Sequence, residues 1–168
     1  MLNSVKKIAV LLAAVFVIMT CASKPQAAQP IAPLAAESSV TPFSQLQNKD
    51  WYLIAVRTTP EIDLDRDKLA EEGFGEFFTL RFDGERASGI GAPNRYTAPY
   101  THDGQGLSIG HAASTMMAAF REPEQLKEHE FFAYLQNTVQ WNLADGKLEL
   151  HTKKSDATGA ILVFTERE

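Results

Sequence analysis

The stretch Phe78-Thr79-Leu80-Arg81-Phe82-Asp83-Gly84 decides what kind of fold this chain can make. Successive side chains of an extended backbone point to opposite faces, so Phe78, Leu80 and Phe82 share one side while Thr79 and Arg81 share the other. One face is buried and the other is wet. The Asp83-Gly84 pair that follows tolerates the positive φ of a tight hairpin, which turns the chain back antiparallel to itself. The same arrangement recurs further along. Leu148 and Leu150 alternate with Lys147, Glu149 and His151 directly after Asp145-Gly146, and a third such pair stands at Asp103-Gly104. Trp51 to Val56 is rich in aromatic and branched residues, as strands are. Ile161 to Phe164 is continuously apolar, as in a strand covered on both faces.

One helix interrupts these strands. Pro123 suits a first helical position, and Glu122 and Glu124 complement the positive end of the helix dipole. Phe131, Leu135 and Val139 then recur every four residues, with Phe132 and Thr138 beside them, giving an apolar stripe to lie on the sheet. A shorter helical turn is expected around Ser114 to Phe120. The expected fold class is α+β: a curved, mainly antiparallel sheet, forming a partial barrel, packed on one main helix.

The whole chain has 168 residues, of which 45% are hydrophobic, enough to bury the core of one domain. Its 16 Lys+Arg against 21 Asp+Glu give a net charge of −5, which argues against a nucleic-acid partner. The single cysteine, Cys21, excludes an internal disulfide and any cysteine-rich zinc site.

The N-terminus reads as an export signal. Lys6 and Lys7 precede an unbroken apolar run from Ile8 to Met19. A bilayer-spanning helix needs about 20 residues, so this run is too short to span and suits a signal-peptide core. It ends in Ile18-Met19-Thr20-Cys21, which resembles the bacterial lipobox, whose cysteine is lipidated and becomes the first residue of the mature protein. Thr20 is bulkier than the Gly, Ala or Ser usual before that cysteine. The alternative is an ordinary secretory signal cut nearby. Residues 1–20 are accordingly assigned to a lipoprotein signal peptide, and residues 21–43 to a flexible tether in which Pro25, Pro30, Pro33 and Pro42 stand among Ala, Ser and Gln. Residues 44–168 form the folded domain. Processing before Cys21 removes two lysines and leaves 14 basic against 21 acidic residues, a net charge of −7.

The central segment carries a resemblance. Ala87-Ser88-Gly89-Ile90-Gly91-Ala92-Pro93-Asn94-Arg95-Tyr96 leads to Tyr100, the Asp103-Gly104 turn, Leu107-Ser108-Ile109-Gly110, and Ser114-Thr115-Met116-Met117-Ala118-Ala119. Glu128, Glu130, Phe131 and Leu135 follow on the helix. In that order and spacing the chain from Leu46 to Phe164 resembles the META domain, also called HslJ-like, of bacterial envelope proteins. The family pattern is roughly G-x-x-G-C-N-R-Y, then T-x-M-A-C, an acid-rich helix and closing apolar strands. Pro93 and Ala119 stand where the family often has its two cysteines, and Ala92 replaces a family glycine. The paired loss is what the resemblance implies if those cysteines are partners in other members.

The residues that match the motif are the candidate site. Asn94 after Pro93 suits a turn, its amide bonding local backbone, and Arg95 and Tyr96 open the next strand. Thr115 reads as a helix entry and Met117 as core filler. The set is read either as shaping the fold or as a partner-binding surface. Enzymatic constellations fail. His129-Glu130-Phe131-Phe132-Ala133 opens like a zinc-protease motif, but Ala133 occupies the second ligand position. Gly89-Ile90-Gly91 lacks the helix start of a dinucleotide loop. His111 and Ser114 have no orienting acid, and the remaining histidines are scattered. The acids from Glu61 to Asp67 and at Glu71-Glu72 look like solvated loops, without the glycine and terminal glutamate of a calcium loop. No catalytic residue, metal or cofactor is expected.

The resemblance implies a non-enzymatic envelope lipoprotein whose head contacts protein or ligand, with a role in stress tolerance. A second expectation is a carrier of lipid or of a hydrophobic segment, like the secretin pilot lipoproteins, with a cavity lined by Phe78, Phe82, Phe131 or Phe132. A hydrolase ranks third. The expected partners are the membrane, through the lipid anchor, and an envelope protein or lipid. Ala22 and Ser23 give no acidic retention signal, which places the anchor in the outer membrane facing the periplasm. Replacing the acceptor thiol tests the lipobox: Cys21→Ser abolishes fatty-acid labelling and releases the protein from membranes, and unchanged labelling refutes it.

Overall fold

The computed structural model describes residues 41–118, 121–153 and 159–167. The signal segment, Cys21 and the tether up to residue 40 lie outside the described residues. The strands are β1 (Trp51–Arg57), β2 (Ile62–Asp63), β3 (Thr79–Asp83), β4 (Arg86–Ile90), β5 (Arg95–Asp103), β6 (Gly106–Ile109), β7 (Ala113–Ser114), β8 (Thr138–Ala144), β9 (Lys147–Thr152) and β10 (Ile161–Glu166). Helix α1 (Arg66–Glu71) lies between β2 and β3, and the main helix α2 (Glu128–Gln136) precedes β8.

Each of the three Asp-Gly pairs turns a hairpin: β3 into β4, β5 into β6 and β8 into β9. In the last of these Asp145 and Gly146 both have positive φ, as a two-residue hairpin turn requires. Eight strands then form a ring in the order β1-β10-β9-β8-β6-β5-β4-β3, with β3 returning to β1 and every neighbour antiparallel. The sheet is therefore a closed barrel, where the hydrophobic pattern alone led only to a partial one. Closure comes from β1 and β10, the two ends of the domain, which pair from Trp51 opposite Glu166 to Arg57 opposite Ile161. Joining them removes two exposed strand edges. The short strands β2 and β7 attach outside the ring, to β1 and β5.

The two ends of the barrel are stoppered by aromatic residues. At one end Phe43, within the 3-10 turn Phe43–Gln45, packs against Phe82, Tyr100 and Trp141 at ring separations of 5.2–5.5 Å. Phe43 was expected to end the tether. Its burial makes it part of the folded head. At the other end Phe131 of α2 meets Phe78 at 5.4 Å and Tyr96 at 5.9 Å, while Phe132 meets Tyr96 at 5.2 Å. Phe78, Phe82 and Phe131 are fully buried in these contacts. Phe78 holds a positive φ of 57°, unusual for a bulky residue. Its N–H donates to the Gly91 carbonyl and its own carbonyl accepts from the Leu53 N–H, so the backbone is held on both sides.

Three local expectations are corrected. Helix α2 begins at Glu128, not near Pro123, and ends before Thr138, so Val139 belongs to β8 and is 39% exposed. No helical turn forms over the described residues 114–118; Ser114 pairs with Tyr96 as part of β7, and residues 115–118 follow without regular secondary structure. Phe120 lies outside the described residues. The acidic stretch is not a solvated loop: it contains β2 and α1, buries Leu64 and Leu69, and uses Asp65 to cap α1 by accepting from the N–H groups of Asp67 and Lys68. Arg66 then fastens α1 to the barrel by donating to the carbonyls of Leu53, Phe77 and Gly75. Deleting the Phe131 ring costs about 3–5 kcal/mol of stability, whereas Val139→Ala stays within about 0.5 kcal/mol; urea unfolding of the two variants checks which residues form the buried stripe.

Candidate functional site

The family-like motif gathers into one hydrogen-bonded cluster at the α2 end of the barrel. Asn94, 6% exposed, sits where β4 passes into β5 through Gly91-Ala92-Pro93, with a cis Ala92–Pro93 peptide. The Gly91 N–H donates to the Asn94 carbonyl at 2.7 Å and closes this connection. The carboxylate of Glu128, the first residue of α2, reaches into it. Its Oε1 accepts from the backbone N–H groups of Ala92 (2.7 Å) and Asn94 (2.8 Å), and its Oε2 accepts from the Asn94 Nδ2 amide (2.8 Å). Three N–H donors converging on one carboxylate make a concave anion seat, filled here by the chain's own side chain.

The other end of the Asn94 amide holds a third segment. Its Oδ1 accepts from the Thr115 hydroxyl at 2.9 Å and from the Met117 N–H at 2.7 Å. The Arg95 carbonyl accepts the Thr115 N–H at 3.0 Å, which extends the β5–β7 pairing. Thr115 is therefore a strut rather than a helix entry. Met117, expected to fill the core, has its backbone fixed and its side chain 58% exposed, beside Met116 at 99%.

The two glycines of the motif are explained by proximity. A Cβ on Gly91 would lie 2.5 Å from Glu128 Oε1 and 2.9 Å from Phe132, so a side chain there would displace the carboxylate. A Cβ on Gly89 would lie 2.1 Å from the Thr79 carbonyl oxygen. That oxygen accepts from the Tyr96 hydroxyl at 2.8 Å, and burial pushes the Tyr96 phenol well above its usual range, keeping it a donor. Tyr96 faces inward on β5, whereas its neighbour Arg95 is exposed on the outer face. The structure thus brings Asn94, Thr115 and the Met117 backbone together, adds Tyr96 through the floor of the same turn, and leaves the Arg95 guanidinium outside. The sequence reading missed Glu128 as the partner of Asn94, because the helix was placed to begin at Pro123, five residues earlier. Cys21 lies outside the described residues.

A small, closed antiparallel barrel with one helix tied across its end defines the class of this protein. The META domain matches residues 44–168, and the chain belongs to the META domain family. Among solved structures, a protein from Burkholderia xenovorans determined by NMR is similar with a TM-score of 0.57 and 22% identity, over 86% of this chain and 94% of that one. A duf4847 family protein from Bacteroides vulgatus ATCC 8482 has a TM-score of 0.48 and 13% identity, over 75% of this chain and 99% of that one. The first likeness is one of fold. Comparison with curated proteins gives no match.

Asn94→Ala removes the amide and strands the Met117 N–H, the Thr115 hydroxyl and one carboxylate oxygen. It costs about 2–3 kcal/mol, read as a fall of roughly 10 °C in melting temperature. Glu128→Ala has a similar effect, and the double variant is less destabilised than the sum of the two, since both delete the same interaction.

Proposed function

We propose that this chain is a non-enzymatic lipoprotein of the cell envelope, anchored through Cys21 in the outer membrane. Its META head contacts another envelope protein through the segment around Met116 and Met117. The observation that carries this reading is the contrast between side chain and backbone in that segment. Two adjacent thioether side chains stand 99% and 58% exposed, while the backbone beneath them is pinned to Asn94 and Arg95. Methionine is flexible and polarizable and suits contact surfaces, and a fixed backbone reduces the ordering cost of binding. The polar groups of the motif point the same way, because Asn94, Glu128, Thr115 and Tyr96 spend their hydrogen bonds inside the fold. A role in stress tolerance rests on the family resemblance.

The alternative, a carrier of lipid or of a hydrophobic segment, needs space beneath the sheet. Phe131 packs on Phe78, Phe132 and Tyr96, Phe132 packs on Tyr96 as well, and Phe82 packs on Phe43 and Tyr100, so the rings expected to line that space occupy it themselves. The contact reading is tested with the lipidated chain in envelope extract. A Met116→Asp/Met117→Asp variant loses its cross-linked partner at an unchanged melting temperature, whereas Arg86→Gln keeps it. Identical cross-linked products from all three proteins would remove the methionine surface from the account.

A further inference from the structure

Sulfur is distributed unevenly along this chain. Its four methionines are Met1, Met19, Met116 and Met117, and its single cysteine is Cys21. The first two methionines fall in the segment assigned to the signal peptide, so residues 44–168 carry all their sulfur as two adjacent thioethers. Methionine ordinarily fills irregular gaps in hydrophobic cores. Here the buried apolar residues are Leu, Phe, Ala, Tyr, Trp, Val and Ile, with no methionine among the described ones. Both thioethers stand at the surface instead, Met116 with almost its whole side chain in solvent.

The backbone keeps them there. The Thr115 N–H donates to the Arg95 carbonyl at 3.0 Å and the Met117 N–H to Asn94 Oδ1 at 2.7 Å, so the residues on both sides of Met116 are tied to the barrel. The two tryptophans, the next most oxidisable side chains of the head, are shielded. Trp51 and Trp141 are each 1% exposed, and their ring N–H groups donate to the carbonyls of Leu46 and Gly104, both at 3.0 Å. An oxidant that meets this head therefore reaches Met116 and Met117 first, and finds no methionine that holds the core.

We propose that Met116 and Met117 are an oxidation site, at which hydrogen peroxide converts both thioethers to sulfoxides with the barrel intact and so releases the partner bound through them. The sulfur lone pair attacks one peroxide oxygen, and the S–O bond forms as the O–O bond breaks. The proton on the transferred oxygen passes to the departing hydroxide, which leaves as water. Sulfur loses two electrons and the peroxide gains them. The product is a polar side chain where an apolar one stood, which disrupts a methionine contact surface. A dithiol reductant restores the thioether, its two thiols becoming a disulfide as the oxygen leaves as water. Release of the partner rests on the contact surface proposed above, whereas the oxidation chemistry does not.

The test treats the purified lipidated chain with hydrogen peroxide, removes the excess with catalase, and follows the tryptic peptide Tyr96 to Arg121 by mass spectrometry. Both methionines gain one oxygen, Met116 ahead of Met117, at rates within about twofold of those of the same chain in urea. The melting temperature falls by no more than about 2 °C. Met116→Leu/Met117→Leu takes up no oxygen in this peptide at the same dose. Returned to envelope extract, the oxidised chain yields at least about tenfold less cross-linked partner, the cost of burying one polar group without a hydrogen bond. Native rates below that range, a larger fall in melting temperature, oxygen uptake by the leucine variant, or a smaller loss of cross-linking would each overturn the proposal. If the oxidised chain keeps its partner while Met116→Asp/Met117→Asp loses it, the contact surface stands and only the oxidation switch falls. If both keep it, the contact surface falls as well.

Discussion

One carboxylate holds three separate pieces of this fold in register. Glu128 belongs to α2, its donors belong to the β4–β5 connection, and Asn94, which it orients, carries the segment after β7. The charge matters because three N–H groups converge on it, and an apolar residue at position 128 would leave the Ala92 and Asn94 backbone N–H groups without a partner and the Asn94 amide with only the Met117 carbonyl, at 3.4 Å. Glu128 also sits in the first turn of its helix, where the positive end of the backbone dipole favours an anion. The same ion is thus stabilised from both sides. The helix can then present Phe131 and Phe132 to Phe78 and Tyr96 at one fixed angle.

That arrangement explains what the sequence showed and what it withheld. Alternation is a local property, so Phe78 to Phe82, Leu148 to Leu150 and the three Asp-Gly turns announced an antiparallel sheet without ambiguity. Closure is not local. Nothing in Trp51–Val56 or in Ile161–Phe164 states that these segments are each other's partner, and the pattern therefore stopped at a curved sheet. The helix was placed too early because Pro123 and its flanking acids make a good helix start, whereas the true start is chosen by the reach of Glu128 to Asn94. Val139 kept the helical spacing of Phe131 and Leu135 by coincidence. The spacing of four ran on into a strand.

The candidate site divides in the same way. Asn94 as a turn residue was legible from Pro93-Asn94, and a strand opening at Arg95 from the residues after it. The acceptors and donors that complete the network lie 21 to 34 residues away along the chain, beyond the reach of any spacing rule. The two glycines were legible only as a failed nucleotide loop. Their reason is the Thr79 carbonyl and the Glu128 carboxylate, both supplied by other elements. Pro93 stands where the family resemblance places a cysteine, and in this chain the Asn94–Glu128 pair ties the turn to the helix without sulfur chemistry.

The seam between β1 and β10 has one more consequence. Because the first and the last strand of the domain are neighbours, the wall stays open until β10 is available. The pairing has the greatest sequence separation in the fold, so its loop-closure cost is met last and its reward arrives all at once. Until then β1 and β9 each present a bare edge, and loss of only the last few residues leaves both exposed. Completeness of the domain is in this sense read out mechanically, by whether the ring can shut.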